Sequence, residues 1–257
     1  VNAIVTAGGE GRPDDPLYAL TGGGYKSMLE IGGKPMIQWV LDALNQARHV
    51  DEIFVVGLPR EMPLSSAKPL HMLEDRGDMV GNILAGAREI NARFPGETYA
   101  LSAAADIPAV TGEMVDWVAG QVLAADYDLY YNAIERRVME ARYPGSRRTY
   151  LRLKNLECCG GDLNAIRLSL AAEDNPLWDR LITARKSPLR QAALIGYDTL
   201  LLLLLRQLSL AEAEAAVGRK LGIRVKALLN PYAELGMDVD KPFQLEIMRK
   251  DLVRRDE

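Results

Sequence analysis

The sequence predicts an α/β fold, a three-layer sandwich whose mostly parallel central sheet is covered by helices on both faces. Three observations carry that prediction. Apolar, β-rich runs alternate with stretches of helical periodicity. The runs are nearly continuous in apolar residues, as strands buried on both faces must be. The first run empties into clustered glycines, and a parallel sheet binds its ligands beyond the carboxyl ends of its strands. With 257 residues, 48% of them hydrophobic, the chain can bury a full core, and one domain over residues 1–257 is expected.

The elements follow in order. "NAIVTA" (2–7), "EIFVVG" (52–57), "TYALSAAAD" (98–106) and "DLYYNAI" (128–134) read as strands, each short and bounded by charged or turn-forming residues. Between them, "PMIQWVLDALNQAR" (35–48), "MVGNILAGAREINARF" (79–94) and "GEMVDWVAGQVLAA" (112–125) return apolar residues every three or four positions, which predicts amphipathic helices. Pro35 is expected in the first turn of its helix, where a missing N–H costs nothing. Thr111 is expected to be an N-cap, with Glu113 placing negative charge in the first turn. From residue 145 the pattern loosens; a helical elaboration over 169–219 precedes a last strand, "IRVKALL" (223–229).

Composition excludes several functions. Lys and Arg number 31 against 35 Asp and Glu, a net charge of -4, which argues against a broad nucleic-acid surface while leaving room for small anions beside local basic residues. Cys158 and Cys159 are adjacent and unsuited to an ordinary disulfide, and His49 and His71 stand apart, so no zinc site is expected. Reduced cysteines and the absence of a leader pattern predict a cytoplasmic protein. The run "TLLLLLLRQL" is too short to span a bilayer, so no stable membrane insertion is expected; it reads as a buried helix that packs on the sheet or at a contact between identical subunits.

The glycines match neither of two common phosphate motifs. A dinucleotide fingerprint starting at Gly9 meets Gly11 but then Asp14 in place of the third glycine. A P-loop needs glycine immediately before its lysine, and Tyr25 precedes Lys26; at "GGKP", Pro35 follows Lys34 where Ser or Thr is required. What remains is a strand followed by A-G-G-x-G-R. Ala7, Gly8, Gly9 and Gly11 allow a triphosphate to approach the backbone without Cβ obstruction, and Arg12 and Lys26 supply positive charge.

Four blocks, "TAGGEGR", "KSMLEIGGKPMIQWVLDAL", "AADIPAVTGEMVDWV" and "GMDVDKPFQLEI", resemble in kind and order the MobA-like nucleotidyltransferases, which include guanylyl- and cytidylyltransferases of the molybdenum cofactor. The resemblance implies a Rossmann-like fold of the nucleotide-diphospho-sugar transferase type. It implies Mg²⁺-dependent transfer of a nucleoside monophosphate from a triphosphate, GTP among the family's substrates, to a small phosphorylated acceptor. Lys26 and Arg12 would bear on the phosphates. Asp106, expected at the end of its strand, would be a Mg²⁺ ligand, joined by Asp240 or, two residues earlier on an extended segment, Asp238. "DRGDMVGNILAG" resembles a nucleotide-facing block, with Gly81 and Asn82 against the base or ribose. "CCGGDLNAI" resembles the G-G-N block of the acceptor side, implying Gly160, Gly161 and Asn164, although Asp162 stands where asparagine is expected. Arg147, Arg148, Arg152 and Lys154 form a basic run that either binds the acceptor phosphate or is a solvated face. The family's loop is G-G-x-G-x-R, whereas here Arg12 follows Gly11 directly and "PDDPLYALTGGGY" lengthens the path to Lys26.

Two alternatives stay open at this point. "DVD" has the letters of a glycosyltransferase D-x-D motif, though at the far end of the chain. A nucleotide-binding protein without catalysis also accommodates the altered loop.

Overall fold

The computed structural model describes residues 1–171, 178 and 206–253. The chain runs through β1 (Asn2–Thr6), a helical turn α1 (Tyr18–Thr21), a short ladder of β2 (Glu30–Ile31) and β3 (Lys34–Pro35), helix α2 (Met36–Gln46), β4 (Ile53–Val56) and β5 (Leu70–Leu73). It continues through α3 (Met79–Arg93), β6 (Tyr99–Ala104), α4 (Gly112–Leu123), β7 (Leu129–Glu135) and α5 (Arg136–Arg142). The remaining elements are β8 (Leu151–Arg152), β9 (Glu157–Gly160), β10 (Leu163–Arg167), α6 (Leu210–Leu221), β11 (Val225–Leu229) and α7 (Pro242–Val253).

Among the described residues nine strands form the main sheet, in the order β5-β4-β1-β6-β10-β7-β9-β8, with β11 beside β7. Strands β5, β4, β1 and β6 are parallel neighbours, as are β7 and β11. Strand β10 runs antiparallel between β6 and β7, and β9 antiparallel between β7 and β8, so among the described strands β9 and β10 oppose the common direction. The reversal of β10 matters for the site. Leu163 at its start pairs with Ala103 near the carboxyl end of β6, so the residue before Leu163 arrives where a parallel sheet binds ligands.

Alternation along the strands sorts the core into layers. Ala3 and Val5 of β1 pack with Val40, Leu41 and Leu44 of α2 and with Val115 and Val118 of α4 on one face. Ile4, Phe54 and Val56 pack on Leu84, Ala87 and Ile90 of α3 on the other. Each fully buried Ile, Leu or Val contributes about 1.5–3 kcal/mol, which is what holds these helices in place. A third cluster beneath α5 and α7 includes Met237 and Val239, both fully buried. Because side chains alternate along extended backbone, burying those two turns Asp238 and Asp240 the other way.

The helix starts show how the sequence sets them. Thr111 caps α4 by accepting a hydrogen bond from the Met114 N–H at 3.5 Å, and Asp78 caps α3 by accepting from the Gly81 N–H at 2.9 Å. Pro35 is extended and stands one position before α2, not in its first turn, because its peptide belongs to the β2–β3 ladder. The apolar run at 199–205 and most of the expected elaboration lie outside the described residues; within it, α6 carries a capping box made by Ser209 and Glu212. Among the described residues no helix is long and apolar enough to cross a membrane.

Candidate active site

The carboxyl ends of β1 and β6, the N-terminus of α3 and the segment before α7 enclose a cleft of about 430 Å³. Its floor at β1 is the glycine loop. Gly57, at φ 109°, crosses Gly8 so closely that a Cβ on Gly57 would lie 2.3 Å from the Gly8 Cα. A Cβ on Gly8 would in turn meet the Asp75 Oδ1 at 2.7 Å and the Asn82 Nδ2 at 2.8 Å. Glycine is therefore required at Gly57 by contact with backbone and by its left-handed conformation, whereas a Cβ at Gly8 would displace the Asp75 and Asn82 side chains from the cleft wall. Ala7, Gly8 and Gly9 line the cleft.

Lys26 returns to this loop despite the long excursion before it. The excursion is pinched at its base, where the Gly11 N–H donates to the Gly24 carbonyl at 3.0 Å and Glu10 bridges Tyr25. Beyond the pinch a 3₁₀ turn, Lys26–Met28, begins, and the buried Ser27 hydroxyl donates to the Ala7 carbonyl at 3.2 Å. That bond fixes Lys26 beside the glycines. The same pinch carries Arg12 away: it is exposed, and neither it nor Gly11 lines the cleft. Arg12 and Lys26, expected together on the phosphates, are thus not brought into one cleft.

Lys26 is instead bracketed by carboxylates from two distant parts of the chain. Its Nζ donates to the Asp106 Oδ2 at 2.5 Å and to the Asp240 Oδ1 at 2.6 Å. Burial pulls the Lys26 ammonium toward neutrality, but the two carboxylates outweigh it and raise its pKa. Asp238 also lines the cleft, yet it is ion-paired with Arg148. The two acids of "DVD" therefore engage different cations. Burial raises the Asp238 carboxyl despite Arg148, whereas Asp240 stays below the usual carboxylate range because its hydrogen bonds with Asp238 and Lys26 overcome its burial.

A fourth carboxylate completes the wall. Asp162, the residue that β10's reversal delivers to the end of β6, lines the cleft, and its pKa is raised by burial first and then by the charges of Asp238 and Asp106. Its backbone carbonyl accepts from the Ala104 N–H at 2.9 Å, which locks it there. The residues expected on that side have other work. Asn164 accepts from the Asn132 N–H at 2.8 Å and donates to the Gly161 carbonyl at 3.1 Å, bracing the sheet. Gly161 packs where a Cβ would lie 2.9 Å from Ile134 and 3.1 Å from Asn132, and a Cβ on Gly160 would strike the Tyr131 hydroxyl. Gly160, Gly161 and Asn164 therefore do not line the cleft, and the glycine pair makes room for packing.

On the α3 side, Asn82 lines the cleft with its amide held by the protein, donating to the Asp75 Oδ1 at 2.9 Å and accepting from the Arg76 N–H at 2.7 Å. Gly81 faces Arg76 and donates to the Asp78 cap, outside the cleft. Asp75 and Asp78, which the sequence reading did not single out, do line it. The capping pattern D-x-x-G at the start of α3 was the available signal.

The donor set suits a hard divalent cation. Asp106 and Asp240 already share one cation, the Lys26 ammonium, and the Asp106 Oδ1 is buried without a hydrogen-bond partner. Among the described residues no set of three His, Cys, Asp or Glu side chains is arranged to hold a metal by itself. Mg²⁺ needs no such set, because it takes one or two carboxylates and completes its shell with phosphate oxygens and water.

Solved structures share this fold. CMP:2-keto-3-deoxy-manno-octonic acid synthetase aligns over 99% of this chain and 98% of its own at 15% identity and a TM-score of 0.60. A 2-C-methyl-D-erythritol 4-phosphate cytidylyltransferase from Thermus thermophilus aligns over 99% and 98% at 15% identity and 0.57. A structure described as a hypothetical transferase, also from Thermus thermophilus, is much nearer: 36% identity, TM-score 0.82, with 95% of this chain and 98% of that one covered. No curated protein matches the chain. The fold and a matching family model together define a nucleotidyltransferase. More narrowly, the model of the MobA-like NTP transferase domain matches residues 3–174, and the chain belongs to that family.

Proposed function

We propose that the protein transfers a nucleoside monophosphate from a nucleoside triphosphate to a small phosphorylated acceptor and releases pyrophosphate. One observation supports this most: the Lys26 ammonium, between Asp106 and Asp240, stands in the same cleft as Gly8 and Gly9. In the reaction an acceptor phosphate oxygen bonds to the α-phosphorus, the bond from that phosphorus to the bridging oxygen breaks, and pyrophosphate leaves with the electron pair. Such a transfer needs positioning and charge neutralisation more than covalent help.

The chain's residues divide that task. Among the described residues, neither the Gly8 nor the Gly9 N–H donates within the protein, so both are available to phosphate oxygens. Lys26 keeps its proton, since its pKa is raised, and neutralises charge on the phosphates and on the departing pyrophosphate. Asp75, Asp78 and the start of α3 form the wall left for the nucleoside. Asp162 and the Asp238–Arg148 pair form the opposite wall, left for the acceptor. Asp106 and Asp240 are the residues that would hold Mg²⁺, whose chemistry there is to draw charge from the phosphate oxygens.

The test is pyrophosphate release from each nucleoside triphosphate, with Mg²⁺, across a panel of sugar phosphates, phospho-alcohols and molybdopterin. Release that requires both a triphosphate and one acceptor, and that is lost in Lys26→Ala and Asp106→Ala, is expected. Equal turnover in both variants would remove the cleft from the reaction.

A further inference from the structure

Arg148 connects the catalytic cleft to a second cavity. It is ion-paired with Asp238, which lines the cleft, and it also lines a cavity of about 750 Å³ between α5 and residues 144–152. Among the described residues four arginines, Arg136, Arg147, Arg148 and Arg152, line that cavity against one acid, Glu140, which is paired with Arg136 at 2.7 Å. Arg136 and Arg152 are partly neutralised, since both contact Glu157, at 2.8 Å and 3.3 Å. Arg147 is different. Among the described residues it has no carboxylate partner; its guanidinium lies over the Phe243 ring at 5.2 Å. Its backbone is left-handed at φ 53°, a conformation that costs a non-glycine residue free energy and that concentrates at functional sites.

Two polar atoms of the same wall are unsatisfied. The Arg148 Nε is buried without a hydrogen-bond partner, and so is the Tyr150 hydroxyl. Both atoms lie beneath the cavity surface, so the groups that face an incoming anion are the exposed guanidiniums of Arg147 and Arg152. A planar guanidinium without a carboxylate partner, as at Arg147, matches an oxyanion in shape and sign.

We propose that this cavity is an oxyanion subsite that takes a second phosphoryl or carboxylate group of the acceptor, remote from the phosphate that attacks. That the anion belongs to an acceptor rests on the nucleotidyl-transfer reading above; that the cavity binds an anion does not. The enzyme would then favour acceptors with two anionic groups over those with one.

Inorganic phosphate is the probe. The full chain is titrated with it calorimetrically, both free and saturated with Mg²⁺ and a non-hydrolysable nucleoside triphosphate analogue. The expected result is a phosphate site that persists when the analogue is bound and weakens roughly tenfold or more in Arg147→Ala/Arg152→Ala. Both substituted side chains are solvent-facing, and unchanged thermal unfolding and analogue affinity would show that the variant is intact. In turnover, phosphate should raise the KM of a doubly anionic acceptor. Absence of a phosphate site beyond the analogue's own, or equal binding in the double variant, overturns the subsite. Phosphate binding without competition against any acceptor overturns its assignment to the acceptor. Failure of the analogue to bind strikes the nucleotidyl-transfer reading, while the titration of the free chain still decides the cavity.

Discussion

Replacing Lys26 by methionine keeps an unbranched side chain one atom shorter and removes its charge. The ammonium touches Asp106 and Asp240 at 2.5 and 2.6 Å, so the variant loses two functions at once. For catalysis, a unit charge about 4 Å from the developing charge is worth about 4 kcal/mol at an effective dielectric near 20. Loss of one preorganised donor in comparable sites lowers kcat about 10²–10³-fold, and Lys26→Met should fall in that range. For stability, the variant leaves two carboxylates facing each other. The loss should be smaller than the roughly 3–5 kcal/mol of a fully buried broken pair, because the Asp240 side chain is 55% exposed. Mg²⁺ should then raise the Tm of Lys26→Met more than that of the parent, since it replaces the missing cation. Pyrophosphate release and thermal unfolding with and without Mg²⁺ read the two effects. Unchanged release, together with an identical Mg²⁺ shift in parent and variant, would refute the reasoning.

Three further outcomes are expected. Gly57→Ala combines a left-handed backbone, worth about 1–2 kcal/mol, with overpacking against Gly8, worth about 1–3 kcal/mol; chemical denaturation should show their sum and triphosphate binding should weaken. Asp162→Asn should raise the Tm at neutral pH. A carboxyl whose pKa is higher folded than unfolded destabilises the fold once pH exceeds the unfolded value, so the gain should vanish below about pH 4, as melting across a pH series would show. Asn164→Ala strips the buried Asn132 N–H of its acceptor and should cost about 1–3 kcal/mol in unfolding experiments while triphosphate affinity is kept.

The parallel half of the fold was legible because its signals are local. "NAIVTA", "EIFVVG", "TYALSAAAD" and "IRVKALL" each contain an observed strand, "DLYYNAI" holds all of β7 but its last residue, and the three amphipathic stretches contain α2, α3 and α4. Strands β5, β9 and β10 were not read. β5 is half-buried throughout and carries His71, so it lacks both a continuous apolar run and an alternation. "ECCG" and "LNAIR" are short, and their pairing with β7 and β6 is a long-range choice.

The site divides along the same line. Lys26, Asp106, Asp238 and Asp240 were singled out from motif order and strand ends, and the fold brings them into one cleft. Asp162 was passed over for Asn164 because only the reversal of β10 reveals which of the two meets the end of β6. Arg12 lies outside the cleft for a similar reason. In sequence it directly follows the glycines, but the Gly11–Gly24 hydrogen bond closes the loop before it and sends it outward. Gly81, Gly160 and Gly161 show that a glycine next to a predicted site is as readily explained by a cap or a close packing contact as by room for a ligand.

The central claim is which phosphorus–oxygen bond the cleft breaks, and labelled triphosphate tests it most directly. With the acceptor panel, label in the α-phosphate should appear in the acceptor product and label in the γ-phosphate in pyrophosphate. Label from the γ-phosphate released as orthophosphate, or consumption of a sugar nucleotide while the triphosphate stays intact, would contradict the account.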